Sequence, residues 1–283
     1  MSDQAKLTVV IPTHDRAELT TRAVNSVFSR RPELVEVTVV DDCGSVPYEF
    51  GGSHNAHGVP VMILRTPHNG GPGLARKFGV QRGTGTAVAL LDSDDVFENG
   101  WLDEGLDQVL THGIEHGGVF LAGRVRHGSS VTGALYRLLT AVPPLFRPTV
   151  TRLAVVMFNP FYTSSVIVSR ELCQFSNTLR YCEDYYTNAM ALFTAKKIVL
   201  SQRLSCSLSR RPGSGKGESA NTRAMLLGEL GARRAMLLST AVPLGYKLFV
   251  PLGLLYQLTR TFLQWILGDF WRRKNLYSSD SAS

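Results

Sequence analysis

Three groups of carboxylates are spaced as if to serve one site: Asp41-Asp42, Asp92-Ser93-Asp94-Asp95 and Glu183-Asp184. The first two each follow a run rich in Val, Ala and Leu, at 37–40 and 87–91, so each stands where a strand would end. In an open α/β sheet, ligands bind in the crevice at the carboxyl ends of strands. Two acidic groups converging there repel one another unless a cation or hydrogen-bond donors share the site. The fitting cation is hard, Mg²⁺ or Mn²⁺, held by oxygen ligands and by phosphate. In the D-x-D turn, Asp92 and Asp94 can point towards the same ion and the ribose above it. Taken alone, the same two residues could equally cap a turn and the helix after it.

These groups need a scaffold, and the pattern around them supplies one. Residues 7–12 are β-branched and apolar and stop at Pro12, which reads as a strand buried on both faces. Leu19, Ala23, Val24, Val27 and Phe28 recur at helical spacing, predicting a helix over 17–30. Strands are predicted at 35–40, 60–64 and 87–91, with a helix over 72–82 behind a glycine turn. Alternating strands and helices with short links give a parallel sheet flanked by helices. Further on, strands are predicted at 119–122, 164–168 and from 198 towards 208, and helices at 134–142, 183–195 and 225–238. The segment 209–217, with Arg210, Arg211 and Lys216 among glycines and serines, reads as a mobile basic loop.

Composition narrows the classes. With 44% hydrophobic and 19% charged residues, the chain is globular and not disordered. A formal charge of +7 favours an anionic partner, which could be nucleic acid, a diphosphate or an anionic lipid surface. Cys43, Cys173, Cys182 and Cys206 form no C-x-x-C pair, which argues against a zinc knuckle or redox dithiol. Met1-Ser-Asp-Gln4 leads straight into the first apolar run without the features of a signal peptide, so a reducing cytoplasm is expected. The seven histidines, His14 among them, make no metal-binding spacing and read as surface or supporting residues. Gly70-Gly-Pro-Gly73 lacks the G-K-[ST] ending of a Walker loop, which disfavours an ATPase.

Four segments carry a more specific signal: Val10-Ile-Pro-Thr13 with Arg16, Val39-Val-Asp-Asp42 with Gly44-Ser45, Asn69-Gly-Gly71 with Gly73-Leu-Ala-Arg76, and Leu91-Asp-Ser-Asp-Asp95. In order and spacing, over residues 7–100, they resemble the family-2 glycosyltransferases of the GT-A fold. The resemblance implies an α/β, Rossmann-like, mostly parallel sheet flanked by helices, with a C-terminal helical appendage. It implies a catalytic domain over 1–218, with a nucleotide-sugar half at 1–115 and an acceptor half at 116–218, followed by a helical region at 219–283. Pro12, Thr13 and Arg16 would line the base and diphosphate, and one of Asp41 and Asp42 would accept a hydrogen bond from the base, often uracil. Asn69, Gly71 and Arg76 would approach the diphosphate or the base edge, with Ser93 between a ribose contact, Asp92, and a metal ligand, Asp94. Asp92 would also reach the Mn²⁺ or Mg²⁺ ion. Asp184 would be the catalytic base, with Glu183 orienting it or touching the acceptor. The chain departs from the family at Lys77, where asparagine is common, and it has no histidine after His127 to offer the metal.

The implied activity is inverting transfer of a single sugar from a nucleotide-sugar donor, a UDP-sugar by preference, to a saccharide or lipid-linked saccharide acceptor in cell-surface polysaccharide synthesis. The Q-x-x-R-W motif of processive members is missing. Two rivals remain at this stage. A nucleotidyltransferase would show a glycine- and lysine-rich loop where Thr13-His-Asp-Arg16 stands. A non-catalytic membrane or nucleic-acid binding protein would interleave basic residues with aromatics on one face, and such residues gather only near the tail, so no nucleic-acid partner is expected.

That tail is apolar at 248–258 and 262–267, with Lys247 and Arg272-Arg-Lys274 interrupting or flanking it. Pro243, Pro251 and Lys247 spoil a membrane-spanning helix. Helices lying in the membrane interface, with Tyr246, Tyr256, Trp265 and Trp271 at headgroup depth, are one reading. A homo-oligomer interface, packing on the catalytic core, and a span over 235–259 despite those three residues are the others. The first would place the protein at the cytoplasmic face of the cell membrane.

Overall fold

A computed structural model describes residues 6–112, 117–127, 130–131, 134–176, 178–209, 221–259 and 261. The strands Leu7–Thr13 (β1), Val35–Asp41 (β2), Val61–Arg65 (β3) and Ala87–Leu90 (β4) pair in parallel in the order β3-β2-β1-β4. Every residue of β1 and β4 is buried. Their largely apolar runs fit helices covering both faces.

The sheet continues through Val96–Phe97 (β5), Val119–His127 (β6), Ser130–Val131 (β7), Val166–Ser169 (β8) and Lys197–Ser207 (β9). Among the described residues its nine strands run β3-β2-β1-β4-β8-β6-β9-β5, with β7 on the side of β6. Six strands share one direction, and β5, β7 and β8 oppose it. The parallel half is thus joined to a second, mixed half through the antiparallel β8.

Helices Ala17–Asn25 (α1) and Trp101–His112 (α3) cover one face. There Ala23, Val24, Trp101 and Leu106 pack on Val9, Ile11, Val37 and Ala89. The other face carries Pro72–Arg82 (α2), Ala134–Ala141 (α4), Arg147–Met157 (α5), Glu183–Thr194 (α6) and Thr222–Leu238 (α7). Leu244–Lys247 (α8) and helical residues at 250–259 follow.

The structure corrects three details of the sequence reading. The first helix ends at Asn25 and not near residue 30, because the Ser26 hydroxyl donates to the Ala23 carbonyl at 2.7 Å and turns the chain into Val27 and Phe28. Helix α3 escapes the pattern, with Gly105 at its centre; its Asp103 accepts from Ser29 Oγ at 2.7 Å and from Arg30. Helix α5 is equally unanticipated, since Thr149, Val150, Thr151, Val155 and Val156 are poor helix formers. Packing overrides that preference: Val155 is fully buried, and its carbonyl accepts from Tyr185 Oη at 2.8 Å.

Ala232 and Met236 of α7 and, beyond that helix, Val242 join the core cluster that includes α6. No helix among the described residues is long and apolar enough to cross a membrane. The basic loop with Arg210, Arg211 and Lys216, and the tail with Trp265, Trp271 and Arg272 to Lys274, lie outside the described residues.

Candidate functional site

β1, β2 and β4 end together, so the segments 14–16, 42–45 and 91–95 meet at one edge of the sheet. Helix α2 starts beside them. Gly71 caps it with φ 85°, a conformation that suits glycine, and Pro72 occupies its first turn.

The two aspartates after β2 build this edge. Asp41 accepts from Gly44 N at 2.9 Å, Tyr48 N at 3.1 Å and Arg65 Nη1 at 2.6 Å. Asp42 accepts from Thr66 Oγ1 at 3.0 Å, Gly70 N at 3.0 Å and Gly71 N at 2.7 Å. Both are buried, and their oxygens hold the glycine turn and the loop after β2 in place. Pro12 is buried at the end of β1. Thr13 points into the protein, its hydroxyl 2.6 Å from that of Thr20. Asn69 is exposed beside His14, whose Nδ1 lies 3.1 Å from the Asp42 carbonyl oxygen. His14 is therefore part of the rim, which its isolated position in the sequence did not signal.

The D-x-D turn is tied to both halves of the sheet. Arg16 Nη1 stands 3.4 Å from Asp94 Oδ2, and Arg22 donates to the Asp94 carbonyl at 3.0 Å. Ser93 is buried. Asp92 N donates to Ser164 Oγ at 3.0 Å, and Ser164 Oγ donates to Asp95 Oδ2 at 2.7 Å. Burial, together with the charge of Asp92, pushes the Asp95 pKa up to about 7. Asp95 and Ser164 are thus structural members of the site. The polar run at 162–165 was the available signal for Ser164.

Arg76 brings the second and third carboxylate groups together. It is buried in α2, with Nη2 2.5 Å from Asp92 Oδ1 and Nη1 2.5 Å from Glu183 Oε1. Burial works to lower its pKa, but the charges of Asp92, Glu183 and Asp184 outweigh that and raise it, so it is a permanent cation. Asp184, in the first turn of α6, is half-buried and accepts from Thr163 Oγ1 at 2.7 Å and from Tyr185 N at 2.8 Å.

The arrangement brings acidic groups from the parallel half of the sheet and from α6 together with Arg16, Arg65 and Arg76, which pair with their carboxylates. Hard carboxylate oxygens at Asp92 and Asp94 can take a divalent cation that also binds phosphate. Among the described residues there is no cluster of three or more ligating side chains. Such an ion would draw its remaining ligands from substrate and water.

The sequence profile of glycosyl transferase family 2 matches residues 8–150. A pre-mycofactocin glycosyltransferase of Mycobacterium tuberculosis H37Rv is 38% identical over 97 residues, 34% of this chain and 19% of that protein. The succinoglycan biosynthesis protein ExoO of Rhizobium meliloti is 31% identical over 99 residues, 31% of this chain and 25% of that protein. The chain therefore spans about a fifth to a quarter of the length of these relatives. Among solved structures, S. aureus TarS 1–349 in complex with UDP-GlcNAc aligns with a TM-score of 0.64 at 18% identity, over 89% of this chain and 72% of that one. The mannosyltransferase PcManGT from Pyrobaculum calidifontis, in complex with GDP-Man and Mn²⁺, aligns with a TM-score of 0.60 at 14% identity, over 98% and 79%. These likenesses carry the fold, which is GT-A. With half its length matched by the profile, the chain belongs to glycosyl transferase family 2.

Proposed function

We propose that the chain is an inverting glycosyltransferase that moves one sugar from a nucleotide-sugar, in the first place a UDP-sugar, to a hydroxyl of a glycan or lipid-linked saccharide. Its setting would be cell-surface polysaccharide synthesis at the cytoplasmic face of the membrane. One observation carries this reading: Arg76 ties the D-x-D turn to the first turn of α6, so a donor-side and an acceptor-side carboxylate group share one cleft. Support for a sugar nucleotide comes from the family and from the neighbours TarS and PcManGT, solved with UDP-GlcNAc and GDP-Man. Support for polysaccharide synthesis comes from the likeness to ExoO.

In this reading the nucleotide lies along the edge of β1, β2 and β4. Asn69 faces the base, and Pro12 and Thr13 shape the pocket floor. Asp41 and Asp42, each held by three donors, brace the loop and the glycine turn, and one of the two accepts a further hydrogen bond from the base. Gly71 and Arg16 approach the diphosphate, and Asp92 the ribose. Asp92 and Asp94 would hold Mn²⁺ or Mg²⁺ together with diphosphate oxygens, with Ser93 keeping their spacing. When bound, that ion supplies neutralisation of the charge gathering on the leaving diphosphate.

Asp184 takes the proton of the acceptor hydroxyl while its oxygen attacks the anomeric carbon from the side opposite the diphosphate. A carbon–oxygen bond to the acceptor forms, the bond to the diphosphate breaks, and the configuration inverts. Glu183, neutralised by Arg76, fixes the start of α6 and so the position of Asp184.

A thermal-shift panel of nucleotides and sugar nucleotides, with and without Mn²⁺, tests the proposal. Stabilisation by one sugar nucleotide, greater with Mn²⁺, is expected, followed by transfer with inverted configuration in NMR of the product. No stabilisation by any nucleotide or sugar nucleotide would overturn it.

A further inference from the structure

The helical segment after α7 is covered on one side only. Val250, Gly253 and Gln257 face the protein. Gly253 sits so close to the end of α5 that a Cβ there would come 2.8 Å from Met157 Cα. Tyr256 meets the Phe158 ring edge-on at 4.6 Å. The other side carries Leu244, Leu248, Leu252 and Leu255, which are 75%, 71%, 50% and 61% exposed. Leu252 and Leu255 share a face of the helical residues 250–259, while Leu244 stands at the start of α8 and Leu248 in the turn that joins the two. Scattered exposed leucines are ordinary on a soluble surface, but a row of four marks an interaction site.

Charge selects the occupant. Between Glu229 and Asp269 the sequence has no carboxylate, while Arg233, Arg234, Lys247 and Arg260 fall within it. Arg233 is buried, Arg234 is exposed and Lys247 is half-buried. Arg233 is taken up by Glu229 and by backbone carbonyls, which leaves Arg234 and Lys247 as the described cations with exposed surface. An apolar row with such cations and no carboxylate of its own suits a segment lying among anionic lipid headgroups. A second copy of the same surface would set like charges against each other. We propose that the row Leu244, Leu248, Leu252 and Leu255 is a docking surface that seats the chain on an anionic lipid membrane, with this segment in the plane of the interface.

Its position gives the docking a purpose. Arg233 donates to the Val156 carbonyl and, at 3.1 Å, to that of Met157, the same stretch against which Gly253 packs. The guanidinium also lies 5.4 Å from the centre of the Tyr185 ring, and Tyr185 follows Asp184 in the chain. One layer of side chains thus separates the docking segment from the start of α6. The acceptor inferred from this placement is a saccharide carried by a lipid of the same membrane, an inference that rests on the transfer function proposed above.

Cosedimentation of the full chain with vesicles tests the surface without donor or acceptor, so its outcome is independent of sugar transfer. The wild type is expected to sediment with phosphatidylcholine vesicles containing phosphatidylglycerol and to stay in solution with phosphatidylcholine alone. The exposed double substitution Leu248→Glu with Leu252→Glu is expected to weaken binding at least about 10-fold while circular dichroism and melting are retained. Equal binding by the folded variant, or no wild-type binding to anionic vesicles, overturns the proposal. So does wild-type self-association in sedimentation velocity that the variant abolishes, which would assign the row to a second copy. If the docking holds, transfer to a lipid-linked acceptor in vesicles falls in the variant while transfer to a short soluble saccharide does not.

Discussion

Arg76 Nη1 lies 2.5 Å from Glu183 Oε1, across 107 residues of sequence. Both side chains are almost fully buried, at 7% and 5% exposure. The second guanidinium nitrogen reaches Asp92 at the same distance. A residue that its motif assigns to the diphosphate or the base edge is therefore the tie between the D-x-D turn and the start of α6, and the geometry of the proposed transfer rests on it.

Arg76→Ala leaves Glu183 buried without its counter-charge. Breaking a buried pair by removing one partner costs about 3–5 kcal/mol. Urea denaturation should show a loss of that order, and the loss should shrink in the double variant Arg76→Ala with Glu183→Gln. A double variant no more stable than the single one would mean that the pair's charge is not what Arg76 supplies.

Gly73→Ala probes the same contact from the other side. A Cβ at residue 73 would come 2.4 Å from Glu183 Cγ, and Arg76 holds the Glu183 carboxylate so that it cannot simply swing away. Replacing a helical glycine by alanine gains about 1 kcal/mol of helix propensity. Overpacking costs typically about 1–3 kcal/mol, so a net destabilisation with reduced kcat is expected from melting and steady-state kinetics. A variant more stable than the wild type would show that α6 can shift freely.

Much of the donor half was legible because its signals are local. The run before Asp92 is apolar throughout, that before Asp41 is rich in valine, and the turn from Asn69 to Gly73 announces itself by its glycines. The partnership of Arg76 with Glu183 is not local, and no spacing rule connects positions so far apart. The same holds for Ser164, which links Asp92 to Asp95 from the other half of the sheet. Helix α5 was hidden for a different reason: its β-branched residues favour a strand until burial against Tyr185 overrides them. The tail's apolar composition was plain in the sequence, but only packing separates Val250 inside from Leu248 outside.

Asp103 gives the fold a measurable dependence on pH. Burial raises its pKa, but hydrogen bonds from Ser29 and Arg30 and the charge of Arg30 outweigh this and hold it below the usual carboxylate range. A depressed folded pKa contributes stability that is full above the unfolded value of about 4 and is lost as pH falls through the folded value. Asp103→Asn should cost about 1–3 kcal/mol at pH 7, and the difference from wild type should narrow by pH 3. A gap that stays constant between those pH values would rule out the carboxylate charge as its source.

Asp94→Ala removes one of the two carboxylates offered to a divalent ion and also the partner of Arg16. Loss of metal-assisted stabilisation of the leaving diphosphate is worth several kcal/mol, so transfer should fall by about 100-fold or more. Titration of Mn²⁺ in the presence of nucleoside diphosphate, followed by the electron paramagnetic resonance of the free ion, should show weaker uptake. Unchanged uptake would move the metal site away from the D-x-D turn.

Asp184→Asn separates binding from chemistry. Asparagine keeps a carbonyl oxygen to accept from Thr163 Oγ1 and matches the size of aspartate, so α6 and the Arg76–Glu183 contact should stand. It cannot take a proton from an acceptor hydroxyl. Since general-base catalysis contributes about 10²–10⁴-fold, kcat for transfer should fall by that range while calorimetry returns the wild-type Kd for the donor. A loss of donor binding would place Asp184 in the nucleotide pocket, and full activity would move the base to another carboxylate. The paired result, binding kept and transfer lost, assigns the proton to this residue, because no change in folding or in donor affinity accompanies it.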